Sequence, residues 1–362
     1  MHMRLRGLHR FSVTLLTGLV LSTQLAAQSM EGNGAVATGL LLRQLDGVKR
    51  VLMIGAHPDD EDTGLLTTLA RGWGVETAYL SLTRGGGGQN LIGPELFEGL
   101  GVIRTGELVA SRSLDGGAQF FTRAFDYGYS KSAEEALSLW PTEELLADVV
   151  WVIRQFRPHV VVSVFSGTPR DGHGQHQAAG IMARQAFSAA GDPSRFSDQL
   201  SRGVEIWAPA KLYESARGFF RSGGGPPADA IQIQMGSRDP LLGRSLYQLS
   251  RESRSQHRSQ DMGAAQAPGL RATGVRFIES RVGGEDGGIF EGVDTTLVGL
   301  TAVLPVTERA ATRRHLESYR SSVRRAVDGF GLDPSVIASD LGEALRHLQQ
   351  ALEASDGEGD TE

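Results

Sequence analysis

Two short, uninterrupted apolar runs constrain this chain more than any other feature. One ends in Val51-Leu52-Met53-Ile54-Gly55 within residues 48–55; the other is Val160-Val161-Val162-Ser163-Val164-Phe165 within residues 158–165. A strand that is apolar on both faces belongs in the middle of a sheet covered on both sides, the situation of parallel strands in α/β proteins. Each run leads through a polar turn into a helix-like segment, at 59–71 and 174–190. Further strands are expected at 75–82, 210–215, 229–236 and 274–280, with an extended aromatic stretch at 118–129. Helices are expected at 36–46, 99–114, 141–156 and 240–258, the third with Pro141 in its first turn. Strands alternating with helices at these spacings form a doubly wound α/β pattern. From about residue 293 the chain reads as helical and closes on an acidic tail, Asp356 to Glu362.

Composition narrows the chemistry. The hydrophobic fraction is 40% and the charged fraction 22%, enough for a sizeable core in 362 residues. There is no cysteine, so disulfides, thiolate catalysis and cysteine-based metal sites are excluded. Any metal must sit on carboxylates and on the nine histidines. A net charge of −6 gives no reason to expect a nucleic-acid partner.

Residues 1–28 read as a secretory signal. Arg4, Arg6 and Arg10 precede an apolar run from Phe11 to Leu21, followed by Ala26, Ala27 and Gln28. The run is shorter than the ~20 residues that span a bilayer, so no stable transmembrane span is expected. This divides the chain into a signal peptide, 1–28, a main α/β domain, 29–292, and a helical C-terminal region with its acidic tail, 293–362. The expected location is exported, periplasmic or extracellular.

Two motifs carry the chemistry. Ala56-His57-Pro58-Asp59-Asp60-Glu61 follows the first apolar strand, where open α/β sheets bind ligands. An N-cap explains one of the acids but not a histidine ahead of three of them. Asp171-Gly172-His173-Gly174-Gln175-His176 follows the second apolar strand in the same way. The competing reading of this motif is a histidine-rich surface loop. If the two strands are parallel, their loops meet, bringing His176 to His57 and Asp60. Two imidazoles and one carboxylate with a fourth position open is the pattern of a catalytic zinc site.

With Thr83-Arg84-Gly85-Gly86 between them, these motifs resemble the PIG-L/LmbE family of zinc-dependent N-deacetylases, over roughly residues 47–220. The flanking segments 239–245 and 253–260 resemble a larger, exported bacterial branch of that family. The resemblance implies a Rossmann-like sandwich with a mostly parallel central sheet, plus a C-terminal helical region. It implies Zn2+ on His57, Asp60 and His176, with Asp59 as general base and a protonated His173 assisting at the transition state. The implied reaction removes an acetyl group from an N-acetylglucosamine-type or related N-acylated small molecule or glycan. Where the family has His-Pro-Asp-His, this chain has His173-Gly174-Gln175-His176, which puts the hydrogen bonding of His173 in question.

Secondary roles are more open. The Gly85–Gly88 loop is not a P-loop, because no Lys-Ser or Lys-Thr follows. Arg84 beside it is a candidate substrate contact. Tyr247, Arg251, Arg254 and Arg258 share one helix face; Arg254 and the adjacent His257 are further substrate candidates, against a plain solvated face. Phe120, Phe121, Phe125, Tyr127, Tyr129 and Trp207 either stack on a sugar or fill the core. Glu61 is a candidate hydrogen-bond partner of His57, and Asp171 is a candidate to orient a histidine or close a turn. Asp59, expected in a first helical turn, should have a depressed pKa. A non-catalytic carbohydrate- or metal-binding protein on the same fold is the competing reading, and a homo-oligomer is compatible with either.

Overall fold

The computed structural model describes residues 34–355, apart from 217–224, 264, 265, 267, 270 and 284–286. The expected signal peptide and acidic tail lie outside the described residues. Among these, a seven-stranded sheet forms the centre: β1 (Arg50–Gly55), β2 (Glu76–Ser81), β3 (Ala118–Phe121), β4 (Val160–Ser163), β5 (Lys211–Ser215), β6 (Ile231–Gln234) and β9 (Ala272–Ser280), in the order β3-β2-β1-β4-β5-β9-β6. The five strands from β3 to β5 pair in parallel. Strand β9 runs antiparallel to both β5 and β6. Two short strands, β7 (Arg238–Asp239) and β8 (Arg244–Ser245), make a separate ribbon. The architecture is therefore α/β with a mostly parallel central sheet, as expected.

Burial explains why the two apolar runs became neighbours. Val51, Leu52, Met53 and Ile54 of β1 and Val160 and Val161 of β4 have no exposed surface. Each such side chain stabilises the core by roughly 1.5–3 kcal/mol, so only the centre of a doubly covered sheet suits both strands. The covering helices are amphipathic. Helix α5 (Thr142–Phe156) buries Leu145, Leu146, Val149, Val150 and Ile153, and α6 (Gly174–Ala189) buries Ala178, Ala179, Met182, Ala183 and Phe187. Three helices precede these: α1 (Ala35–Leu42), α2 (Thr63–Thr67) and α3 (Phe97–Asp115), with α4 (Ala133–Leu139) leading into α5. After α6 come a short α7 (Asp198–Ser201) and α8 (Leu246–Arg254).

The first motif departs from expectation. No helix begins at Asp59. Helix α2 begins at Thr63, capped by Asp62, whose Oδ1 accepts from Leu65 N at 3.0 Å, and it continues as a π turn over 68–72. Asp59 has φ 133°, which a helix cannot contain, so Asp59, Asp60 and Glu61 stand in a turn before the helix. The 118–129 stretch is also shorter than expected: only Ala118–Phe121 is strand.

The C-terminal region is a hairpin of α9 (Val306–Gly329) and α10 (Ala338–Ser355). It has its own small apolar clusters, Leu42 with Ala326 and Ile337, and Tyr319 with Val323 and Ala344. Through Leu42, and through the Tyr319 hydroxyl on Leu45 O at 3.1 Å, it is fastened to the segment leading into β1.

One close approach sets where α6 lies. A Cβ on Gly180 would sit 2.2 Å from Gly167 N and 2.9 Å from Phe165 O, both backbone atoms of the loop after β4. Gly180→Ala should therefore cost about 1–3 kcal/mol through overpacking. The check is a lower urea midpoint with an unchanged m value.

Candidate metal centre

The parallel register of β1 and β4 pairs Ile54 with Ser163, so the loops leaving both strands emerge side by side. There the structure brings His57, Asp60 and His176 together, with one ligand atom from each lying within 4.8 Å of the others. His57 Nδ1 is 3.5 Å from Asp60 Oδ2, and His176 Nε2 is 3.5 Å from Asp60 Oδ1. A tetrahedral ion with 2.0–2.1 Å bonds needs ligand atoms about 3.4 Å apart, so two imidazoles and a carboxylate at these separations are consistent with a metal site such as zinc.

Each ligand is aimed by a partner. Asp60 Oδ2 accepts from the backbone N–H groups of Ala56 (2.9 Å) and His57 (2.7 Å). His176 Nδ1 lies 3.3 Å from the Asp171 carbonyl, a pure acceptor, so Nδ1 carries the proton and Nε2 faces Asp60. Its ring stacks on Phe165, with centroids 4.1 Å apart. His57 Nε2 lies 2.7 Å from Gln175 Oε1. Partners of this kind hold metal-binding imidazoles in one orientation.

The comparisons with known proteins agree with this geometry. Residues 52–187 match the PIG-L family model, GlcNAc-PI de-N-acetylase. The chain is 33% identical over 198 residues to a 1D-myo-inositol 2-acetamido-2-deoxy-alpha-D-glucopyranoside deacetylase of Kineococcus radiotolerans, covering 48% of this chain and 53% of that protein. It is 32% identical over 160 residues to the diacetylchitobiose deacetylase of Thermococcus kodakarensis, covering 44% and 56%. The chain thus spans little more than half the length of these relatives. Among solved structures, an N,N'-diacetylchitobiose deacetylase from Pyrococcus horikoshii matches at 18% identity and a TM-score of 0.43, over 71% of this chain and 82% of that one.

Asp59 adjoins the cluster and has its own supports. Its carbonyl accepts from Arg254 Nη1, its N–H donates to Glu61 Oε2 at 3.0 Å, and its Oδ2 accepts from Gln260 Nε2 at 2.8 Å. These contacts hold a backbone conformation that non-glycine residues rarely adopt. Burial, and then the neighbouring Asp60 charge, raise the Asp59 pKa. The expected depression required a helix N-terminus at Asp59, and the helix begins four residues later.

Electrostatics separates the remaining groups. Burial opposes ionisation of Asp60, but His176 and His57 outweigh it and lower the carboxyl to about 2. Burial also opposes a charge on His57, yet Asp60 prevails and raises the imidazole to about 9. His173 goes the other way: burial, then His57 and His176, lower it to about 4. That direction favours the neutral imidazole of His173 in the ion-free protein.

The substrate candidates are placed differently from expectation. His257 is fully buried, with Nε2 2.6 Å from Glu61 Oε1. Arg254 spends its guanidinium on the Asp59 and Glu61 carbonyls. Both therefore position the first motif, because the chain after β8 folds back over it. Glu61 lies beside His257 and pairs with Arg112 at 3.2 Å, and Arg112 in turn binds Asp115 at 2.6 Å. Although burial opposes it, His257 and Arg112 hold Glu61 well below the usual carboxylate range. Arg84 lies with its guanidinium carbon 4.0 Å above the Phe121 ring and donates to Thr105 Oγ1 at 2.9 Å. Asp171 does both things expected of it. Its carbonyl orients His176, and its carboxylate accepts from the N–H groups of Ser166 and Gly167 at 3.1 and 2.8 Å. Among the aromatics, Phe120, Phe121, Tyr127 and Trp207 pack on the core, while Tyr129 is 72% exposed with its ring 5.2 Å from that of His173. Gln260 was given no role by sequence reasoning; its only signal was its place in the flanking motif.

An ion bound at His57 must displace the proton that Asp60 holds there. Zn2+ affinity should therefore rise about tenfold per pH unit between about pH 6 and 8, because each unit removes a competing proton from a group titrating near 9. Competition against a chromophoric chelator reads this slope. His57→Ala should abolish stoichiometric Zn2+ binding, and a variant that still holds one ion per chain would remove His57 from the ligand set.

Proposed function

We propose that this protein is a metal-dependent N-deacetylase that hydrolyses the N-acetyl amide of an N-acetylglucosamine-type or related N-acylated substrate and releases acetate. The observation that carries the reading is the His57–Asp60–His176 cluster with the raised Asp59 carboxyl beside it. Matches to deacetylases of N-acetylated sugars support the substrate class. A divalent ion, which we take to be Zn2+, would supply Lewis-acid polarisation of the amide carbonyl and acidify an attacking water.

The protein groups do the rest. Asp59, held by Gln260 and Arg254, takes the proton from the water that attacks the carbonyl carbon. Its raised pKa suits it to keep that proton and pass it to the amide nitrogen, so that the C–N bond breaks and a neutral amine leaves. His173, neutral, donates a hydrogen bond to the oxygen that gathers negative charge. Tyr129, exposed beside His173, offers a ring face to the sugar. Glu61, His257 and Arg112 stay away from the reacting atoms and hold the Asp59–Asp60 turn. Residues 29–292 would form the catalytic unit and 293–362 a packing or assembly region. Residues 1–28 would direct export to the periplasm or the exterior.

Acetate release from N-acetylglucosamine derivatives, lost on chelation and restored by Zn2+, tests the reading. Asp59→Asn should lower kcat by about 10²–10⁴-fold while retaining the ion. An Asp59→Asn variant that matches the parent in rate would exclude Asp59 as the proton carrier.

A further inference from the structure

Gln175 stands where the resembling family has an acid, and the structure shows what the amide does there. The side chain is fully buried. Its Nε2 donates to the Gly128 carbonyl at 2.9 Å, and its Oε1 lies 2.7 Å from His57 Nε2. Gly128 O can only accept, so the amide cannot be turned round: NH2 must face Gly128 and the carbonyl must face His57. His57 must then carry a proton on Nε2, which leaves Nδ1, the nitrogen 3.5 Å from Asp60 Oδ2, as the one able to bind an ion.

The same residue acts on His173 through its backbone. Gln175 N is 3.1 Å from His173 Nδ1 and 2.9 Å from Ser130 Oγ. The proton of a backbone amide cannot be moved, so Nδ1 of His173 is an acceptor. Ser130 Oγ, 3.1 Å from that nitrogen, can add a second donor. The proton of neutral His173 is thereby confined to Nε2, in a ring whose centroid is 5.3 Å from that of His57 and 4.9 Å from that of His176.

We infer that Gln175 is a positioning residue that sets the tautomers of two histidines at once: through its side chain it frees His57 Nδ1 for the ion, and through its backbone it makes His173 an Nε2–H donor. The inference deepens the proposed function and rests on it for the purpose of the two tautomers. The amide supplies the Gly128 carbonyl with a donor; a carboxylate in the same place would face that carbonyl with an oxygen. The acid of the family motif is thus replaced by a group matched to the 128–130 turn.

The test is 15N-edited NMR of the histidine rings in the Zn2+-loaded protein. The expected result is Nε2–H on both His57 and His173, with His57 Nδ1 bound to the ion. Gln175→Leu removes the acceptor for His57 but keeps the backbone N–H. It should weaken Zn2+ binding by about 10–100-fold, while His173 keeps its Nε2–H signal. A general loss of structure would disturb both rings, so this asymmetry separates positioning from folding. Gln175→Glu retains an acceptor for His57 Nε2–H and should keep its tautomer at a lower melting temperature. An Nδ1–H signal on His57 or His173 in the parent protein would overturn the inference, as would Zn2+ affinity in Gln175→Leu within twofold of the parent. If the protein takes up no Zn2+, the proposed function falls. The two tautomers are then read in the ion-free protein, at a pH where both rings are shown by their own 15N shifts to be neutral, and decide the inference separately.

Discussion

The parallel pairing of β1 with β4 underlies everything that happens at the site. Val51 to Ile54 lie against Val160 to Ser163, one residue to one residue. Both strands are buried on both faces, and side chains alternate between faces along a strand. A one-residue slip would move every side chain to the opposite face and misalign the loops that follow. The pairing also marks the point where the strand order reverses, since β2 lies on one side of β1 and β4 on the other. Loops leaving such a pair diverge and open a crevice at the carboxyl ends of the strands. His57 and Asp60 come from one wall of that crevice and His176 from the other.

Four consecutive carboxylates, Asp59 to Asp62, show how local surroundings divide labour among like residues. Asp62 caps a helix and also binds Thr273. Glu61 is buried between His257 and Arg112 and stays charged. Asp60 is fixed by two backbone N–H groups and kept ionised between imidazoles. Asp59 alone is half-buried beside another negative charge, so ionisation comes harder to it than to its neighbours. The turn that separates them includes the strained backbone at Asp59. Its supports come largely from outside the turn, with Arg254 and Gln260 supplied by α8 and the segment after it.

Those supports lie beyond residue 187, where the match to the family model ends. The three candidate ligands, His57, Asp60 and His176, all lie within the matched segment, but their surroundings do not. His257, Arg254 and Gln260 reach back across some two hundred positions to the first motif. The helix carrying Arg254 is anchored in turn to α3 through Ser253, which bonds Ser111 at 2.6 Å and Asp115 at 2.8 Å. The region after β5 therefore belongs to the site physically, as the wall that holds the first motif in shape.

The sequence by itself determined the class of fold and the ligand candidates. Continuous apolar strands and amphipathic helices are written in local periodicity, and histidines beside carboxylates after such strands are visible as motifs. It could not place the start of α2, because three acids ahead of a helix look like its first turn until the φ of Asp59 is known. It also could not distinguish an arginine that meets substrate from one, like Arg254, that holds a backbone carbonyl. Nor could it show that Gln175 serves His57 with its side chain and His173 with its backbone. Those distinctions depend on which groups from distant segments are buried against each other, since hydrogen-bond partners and pKa shifts are properties of packed neighbours rather than of residue types.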